Sequence, residues 1–152
     1  MTLTTNGALP DPALPPMRVR VLGPDAAEVS EQDLRRLFKG RYLTPARRHR
    51  LAETGRVLAA CGTRVVGLAG YELVDAEFRV HEFALDDTSP CCLEEIATAL
   101  LDALETACLA GGGTRLVLLP RASVDAGFLR GHGYAPIVEG CARSWFVKRF
   151  PA

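Results

Sequence analysis

The sequence predicts an α+β domain in which helices pack against one mixed β-sheet. Two observations carry this prediction. Apolar residues recur with the two-residue period of strands through most of residues 57–85, and a long helical stripe of apolar residues follows at 93–108. The length of 152 residues is that of one domain. We therefore expect a flexible, proline-containing leader at 1–16 and a single domain at 17–152.

Composition excludes several functional classes. The chain is 48% hydrophobic and 24% charged, and eighteen Lys and Arg residues balance eighteen Asp and Glu residues. A formal net charge of zero argues against a nucleic-acid partner, which selects for basic surfaces. The sequence contains no apolar run of transmembrane length and no signal-peptide pattern, so we expect no membrane partner and a cytoplasmic location.

The cysteines and histidines do not form a recognisable ligand pattern. Five cysteines are an odd number in a chain without an export signal, so a disulfide framework is not expected. There is no Cys-x-x-Cys or His-x-x-x-His pair, and the three histidines are far apart. We therefore expect no metal site.

The first half of the chain is predicted to contain one helix, an optional second helix after it, and four strands. Ser30 is placed to cap the helix, which spans 31–42, and a basic run at 47–50 follows it. Gly62 accommodates the tight turn of a hairpin. The predicted strands are 17–22, 57–61, 65–74 and 78–85.

The second half begins with the clearest helix of the chain. Its start is predicted at Ser89-Pro90 and its end at Gly111, and its apolar residues recur at intervals of three and four. The residues of this stripe are Leu93, Ile96, Ala97, Leu100, Leu101, Leu104 and Cys108. The remaining predicted elements are a strand at 115–119, a helix at 122–131 and strands at 135–139 and 143–150.

This order of elements is similar to that of a known family. The segments Glu-Phe-Ala-Leu at 82–85, Leu-Leu-Asp-Ala-Leu-Glu at 100–105 and Phe-Leu-Arg-Gly-His-Gly-Tyr at 128–134 resemble those of the GCN5-related N-acetyltransferases, the GNAT superfamily. The resemblance covers about residues 17–150. It implies a three-layer α/β/α fold and an enzyme that transfers an acetyl group from acetyl-CoA to an amine. The implied acceptor is a small-molecule amine or a protein amino group. The sequence is compatible with either a monomer or a homodimer.

The resemblance also implies where acetyl-CoA binds. Family members bind it where the fourth and fifth strands separate, because unpaired backbone groups there can bond an extended pantetheine arm. The N-terminus of the following helix, within 88–97, would face the pyrophosphate. The cofactor-binding residues implied in this way are Phe83, Ala84, Leu85, Cys92, Leu93, Glu94, Ile96 and Ala97.

The sequence departs from the family at the pyrophosphate loop. Cys92 stands where relatives have Arg or Gln, and Glu95 stands where a glycine lets phosphate approach the backbone, although Ala97 fits. A carboxylate a few ångströms from a diphosphate repels it by roughly 1 kcal/mol even when screened. Ala122 and Leu129 replace the Asn and the proton-donating Tyr of the family's last helix. These replacements favour an alternative, a non-catalytic binding or dimerisation module that has lost CoA.

Glu82 is the candidate catalytic residue, as the general base that takes the amine proton. Strand alternation also allows Glu82 to be a solvated charge on the outer face of the sheet. His81, which is predicted to point the other way, is either a polar group of the cleft or a half-buried structural histidine.

Two further features have both a functional and a structural interpretation, and a third has a structural one alone. Cys91 and Cys92 are either nucleophilic thiols at a helix N-terminus or small packing residues. The basic run at 47–50 either steers an anionic ligand or forms a solvated helix face. Trp145 and Phe146 are predicted to pack in the core.

Overall fold

The computed structural model describes residues 17–22, 29–39, 43–89, 91–121, 124–141 and 144–151. Within them, seven strands form one mixed sheet in the order β1-β2-β3-β4-β5-β7-β6. Only β4 and β5 pair in parallel, and the other neighbours are antiparallel. The strands are β1 (Met17–Leu22), β2 (Gly55–Cys61), β3 (Arg64–Val74), β4 (Glu77–Leu85), β5 (Arg115–Leu118), β6 (Ala135–Pro136) and β7 (Phe146–Arg149).

In the same described part of the chain, four helices cover the two faces of this sheet. They are α1 (Glu31–Leu37), α2 (Pro45–Glu53), α3 (Leu93–Ala110) and α4 (Ala126–Gly131). Side chains of α1 and α2 pack with Leu58, Leu68 and Ala84 on one face of the sheet. Side chains of α3 and α4 pack in a separate core on the other face. The predicted three-layer α/β/α fold is therefore confirmed.

The long helix α3 organises the larger core. Six of the seven residues of its predicted stripe are buried, and Leu93 at the first position is half-buried. Gly67 of β3 lies directly beneath this helix, where an added Cβ would approach Ile96 and Leu100 within 3 Å. The absence of a side chain at this position lets α3 sit close to the sheet.

A β-bulge at His81 changes which face each residue of β4 presents. Tyr71 of β3 pairs with Val80, whereas its neighbour Gly70 pairs with Glu82, so His81 is the extra residue. Phe78 and Val80 before the bulge pack in the α3 core, and so do Phe83 and Leu85 after it. A bulge that shifts the two-residue period by one explains this change.

Several predicted boundaries differ from the structure. Helix α1 ends at Leu37 and α4 begins at Ala126, whereas the basic run lies in α2, in agreement with its interpretation as a helix face. The predicted positions 40–42 and 122–123 lie outside the described residues, as does the leader 1–16. Thr44 and Pro45 start α2, because the Thr44 hydroxyl accepts a hydrogen bond from the Arg47 N–H and proline suits the first helical turn.

The start of α3 and the final strands also differ from prediction. The N-cap of α3 is Cys92 rather than Ser89, whose hydroxyl accepts from the Cys91 N–H at 3.0 Å. Pro90 lies outside the described residues. Phe146 is buried as predicted, but Trp145 is 38% exposed, so its predicted core position is wrong.

A disulfide joins Cys61 to Cys91, where free thiols were expected. An odd number of cysteines does not exclude one bridge, and the fold brings the tip of the β2–β3 hairpin beside the segment that precedes α3. Among the described residues, the free cysteines are Cys92, Cys108 and Cys141. Cys108 is buried on the apolar stripe, as predicted.

We expect Leu104→Ala to lower the free energy of unfolding by about 2–5 kcal/mol, because Leu104 is fully buried on the core-facing side of α3 and shortening its side chain leaves a cavity. Leu109→Ala is the matched control on the same helix, since Leu109 is 54% exposed, and we expect less than about 0.5 kcal/mol from it. Chemical denaturation of the three proteins measures both values. Equal losses in the two variants would contradict the packing described for α3.

Candidate functional site

The central feature of the sheet is a gap between β4 and β5. These parallel strands pair only at Glu77–Arg115, Phe78–Leu116 and Arg79–Val117. Beyond these pairs β4 continues for six residues to Leu85, whereas β5 ends at Leu118. We call the space beyond the last pair the β4–β5 gap.

The backbone of β4 faces this gap at two residues. The Asp86 N–H donates to the Val66 carbonyl of β3 at 2.8 Å, while Leu85 lies opposite Gly67. In an antiparallel ladder this arrangement makes Leu85–Gly67 a non-hydrogen-bonded pair, and Phe83–Ala69 two residues earlier is another. The N–H and C=O groups of Phe83 and Leu85 therefore point away from β3, toward the gap.

The side chains of these residues serve the core instead. Phe83 and Leu85 are buried on the α3 face of the sheet, and Ala84 is buried on the α1 and α2 face. Phe83 and Leu85 therefore present only their backbone groups to the gap, whereas Ala84 lies in a hydrogen-bonded pair with Leu68, so its N–H and C=O groups point toward β3.

The N-terminus of α3 offers free backbone donors. The first intrahelical bond runs from the Ile96 N–H to the Cys92 carbonyl, so the preceding N–H groups have no partner within the helix. Cys92 is the N-cap and contributes no side-chain hydrogen bond. The donors include those of Leu93, Glu94 and Glu95, and they form a positive site for an anion.

Two predicted cofactor-binding residues contribute no free donor there. Ile96 and Ala97 are fully buried in the core, and the N–H of Ile96 is already bonded. The exposed Glu94 and Glu95 carboxylates lie in the same first turn of α3. The backbone geometry thus fits a phosphate group, whereas these two charges oppose it.

The predicted base Glu82 is buried and paired. It is 4% exposed, and its two carboxylate oxygens accept hydrogen bonds from Nε and Nη2 of Arg47 at 2.8 and 2.7 Å. Because Arg47 belongs to α2, Glu82 lies on the α1 and α2 face, as strand alternation relative to Phe83 predicts. It is not the solvated surface charge considered as its other interpretation. The Glu82 bond holds the pKa of Arg47 above its ordinary value.

His81 lies on the same side as Glu82, which corrects the prediction that they point apart. The bulge is the physical reason. The Thr54 hydroxyl donates to the Arg50 carbonyl at 2.6 Å, so at 2.9 Å it accepts from the Nε2–H of His81. Burial, followed by the charge of Arg50, lowers the pKa of His81 to about 4.

Arg121 reaches the gap from the opposite wall. It follows β5, and its Nη2 lies 3.3 Å from the carbonyl oxygen of His81 in β4. Adjacent residues of β4 are therefore contacted by two guanidinium groups, Arg121 at His81 and Arg47 at Glu82.

A buried carboxylate fixes the end of β4. Asp86 is 1% exposed and accepts hydrogen bonds from Arg36 of α1, Arg64 of β3 and both the N–H and hydroxyl of Thr88. Burial opposes its ionisation, but the bonds from Thr88, Arg64 and Arg36 outweigh that effect and hold the pKa of Asp86 below its ordinary value. This cluster positions the segment that leads from β4 to α3.

The structure places no proton donor at the position where the family has its tyrosine. Leu129 is fully buried, and Ala122 lies outside the described residues. The nearby Tyr134 is also buried, and its hydroxyl donates to Glu105 at 2.9 Å. Burial, followed by the negative charge of Glu105, raises the pKa of Tyr134 well above its usual range, so it holds its proton.

Sequence reasoning missed the partners of these residues. It singled out Arg47 as part of a basic run, but the Arg47–Glu82 pair spans 35 positions of sequence. It did not single out Arg121 or the role of Asp86. The pairing of a buried strand carboxylate with a helix arginine leaves no local pattern, because it depends on which helix covers that face.

The described residues contain neither a metal-binding cluster nor a helix suited to span a membrane. No group of three or more His, Cys, Asp or Glu side chains in this part of the chain is arranged to hold a metal ion. None of its helices combines the length and apolar character that crossing a bilayer requires.

Solved structures share this architecture. Aminoglycoside 6′-acetyltransferase type Ii matches with a TM-score of 0.72 and 17% identity over 89% of this chain and 99% of that one. Ard1 from Thermoplasma volcanium matches with a TM-score of 0.62 and 16% identity over 90% and 99%. PaiA N-acetyltransferase from Thermoplasma acidophilum, in complex with coenzyme A, matches with a TM-score of 0.60 and 11% identity over 89% and 99%. No family model and no curated protein matches the sequence.

We expect the half-buried His81 to make stability pH-dependent. Between its ordinary pKa of 6.5 and about 4, the unfolded chain binds a proton that the folded chain does not. The free energy of unfolding therefore falls as the pH decreases through this range, by at most about 1.4 kcal/mol per pH unit.

Denaturation at several pH values measures this slope. In His81→Gln the slope between pH 6.5 and 4 should be smaller than in the wild type, whereas the control His49→Gln, at an exposed position of α2, should keep the wild-type slope. An unchanged slope in His81→Gln would show that another group is responsible.

Proposed function

Since the chain has the fold of the GCN5-related N-acetyltransferases, we propose that it is an acetyl-CoA-dependent N-acetyltransferase. The single observation that carries the proposal is the β4–β5 gap, with the backbone groups of Phe83 and Leu85 directed into it. A gap closed by continued pairing of the two strands would leave no place for the acetyl donor.

The proposed binding mode uses backbone atoms. Phe83 and Leu85 offer backbone groups to an extended pantetheine arm, as an added strand would be bonded. The free N–H groups of Leu93, Glu94 and Glu95 at the start of α3 face the pyrophosphate. Cys92, the N-cap, lies beside them without the charge that Arg would bring.

The proposed reaction is direct attack on the thioester. The nitrogen lone pair of a neutral amine forms the C–N bond, the C–S bond breaks, and its electron pair goes to sulfur. One proton leaves the nitrogen and one is taken up by the thiolate. We assign the first proton to Glu82 through a water molecule, because it is the carboxylate that β4 places beside the gap. With no donor at Leu129, we assign the second to solvent.

The alternative function is a non-catalytic binding or dimerisation module. The Glu94 and Glu95 carboxylates at the start of α3 favour it, because they repel a diphosphate. The gap in the sheet favours the enzyme. Calorimetric titration of the protein with acetyl-CoA separates the two functions, since a module that has lost CoA releases no heat even at millimolar ligand.

We expect Glu95→Gly to tighten acetyl-CoA binding about fivefold, because it removes roughly 1 kcal/mol of repulsion beside the diphosphate. Asp102→Asn is the control, since it removes one negative charge from an exposed position two turns further along α3. We expect it to leave affinity within about twofold of the wild type. Equal tightening in both variants would indicate a general charge effect and would contradict the placement of the diphosphate.

We expect Glu82→Gln to lower kcat at least tenfold and to leave the Kd of acetyl-CoA unchanged, because the amide cannot take a proton. Steady-state kinetics with an excess of amine, together with calorimetry, measures both. Glu72→Gln is a control for removing a carboxylate that is paired with an arginine of α2, here Arg50, outside the gap. If kcat in Glu82→Gln equals that of the wild type, Glu82 is not the base.

A further inference from the structure

The guanidinium of Arg47 is held in a fixed orientation beside the gap. Its position is set twice: the backbone N–H of Arg47 bonds the Thr44 cap, and its side chain bonds both oxygens of Glu82. Phe38 of the same layer lies beneath the guanidinium, 5.7 Å from its carbon to the ring centroid. A cation fixed by a buried carboxylate and an aromatic ring is pre-organised for a further ligand.

This guanidinium has donors left over. A guanidinium carries five N–H groups, and one on Nε and one on Nη2 serve Glu82. Within the described part of the chain, no other residue accepts from it. The Arg47 side chain is 42% exposed, whereas that of Glu82 is 6% exposed, so the remaining donors face outward. Paired N–H donors of this kind match the two oxygens of a carboxylate.

The position of Arg47 relative to the gap is determined by its partner Glu82 in β4. Glu82 lies three residues beyond Arg79, the last residue that pairs with β5. Arg47 therefore stands beside the part of the gap that the thioester is proposed to enter, on the α1 and α2 face. This face is opposite to the one covered by α3.

Charged groups of both signs surround this position. Arg121 contacts the His81 carbonyl from the β5 side. Arg50 is paired with Glu72, and Glu82 is buried and paired with Arg47. The charge that an approaching acceptor meets at Arg47 is therefore the part of the guanidinium that Glu82 does not use.

From this arrangement we infer that the acceptor amine also carries a carboxylate, which Arg47 binds while the amine reaches the gap. The inference rests on the proposed function, and it narrows the acceptor from amines in general to amino acids or peptides that present a carboxylate. Arg47 is a binding residue for the acceptor, and Glu82 both orients it and accepts the proton.

The test compares acetylated products that differ only in the carboxylate. N-acetylglycine, N-acetyl-leucine and N-acetyl-lysine are titrated into the CoA-saturated protein, beside the amide of each. The acids and amides of a pair carry the same acetylated nitrogen, so ionisation of the acceptor amine does not enter. We expect at least one acid to bind tenfold or more tighter than its amide, as a lost charge-assisted hydrogen-bond pair requires. Equal affinities within every pair, or no binding of any acid, would overturn the inference.

Two conservative variants locate the effect. Arg47→Lys keeps the charge beside Glu82 but loses the second edge of the guanidinium, so we expect the preference for the acid to fall to about threefold or less. Arg48→Lys is the matched control, because Arg48 is the next residue of α2 and pairs with Glu31 on the exposed side. It should keep the wild-type preference. A preference that persists in Arg47→Lys would show that another group binds the carboxylate.

The two proposals fail differently. Acetyl transfer to neutral amines with no preference for acids would retain the acetyltransferase and overturn the carboxylate site. Titrated in the absence of CoA, acids that bind tighter than amides would support the carboxylate site even if the protein bound no acetyl-CoA. Circular dichroism of each variant confirms that it is folded.

Discussion

The separation of β4 and β5 after three pairs is the constraint on which the site depends. A central position in a sheet normally consumes every backbone donor and acceptor, and such groups are costly to leave unpaired in a protein interior. Here β4 continues to Leu85, and among the described residues no strand pairs with its second half on this side, while its other edge pairs with β3 at every residue except His81 in the bulge. The backbone groups that face the gap require either solvent or a ligand, and a strand-like ligand satisfies them best.

The bulge at His81 determines what surrounds this gap. By adding one residue to β4, it directs Glu82 toward α2 and leaves Phe83 and Leu85 to close the core under α3. The bulge thus places the Arg47–Glu82 ion pair and the His81 imidazole on the side of α2, and the apolar side chains of Phe83 and Leu85 on the side of α3. Without it, the carboxylate of Glu82 would point into the α3 core, where ionisation is strongly unfavourable.

The sequence predicts those elements whose buried residues recur with a regular period. It predicts the contacts of the candidate site less well. The α3 stripe, the hairpin at Gly62 and the order of the elements follow from local pattern, and the resemblance to a family added the three layers. The role of His81 in the bulge, the Arg47–Glu82 pair and the contact from Arg121 do not follow, because they depend on a register shift and on which helix covers which face. A serine followed by a proline is typical of a helix start and predicts the N-cap of α3 at Ser89. In the structure the N-cap is Cys92, three residues further along the chain.

The covalent link between Cys61 and Cys91 reinforces the segment that precedes α3, which an ion pair also holds. The disulfide spans 30 positions of sequence and ties the β2–β3 hairpin to the segment before α3, and the Arg64–Asp86 ion pair joins nearly the same two places without a covalent bond. Cellular thiol buffers reduce many such bridges. Under those conditions non-covalent bonds retain the connection, among them the Arg64–Asp86 ion pair, the Arg64–Thr88 hydrogen bond and the bond from the Asp86 N–H to the Val66 carbonyl. Part of this link then depends on the charge of Asp86 rather than on the oxidation state of the cysteines.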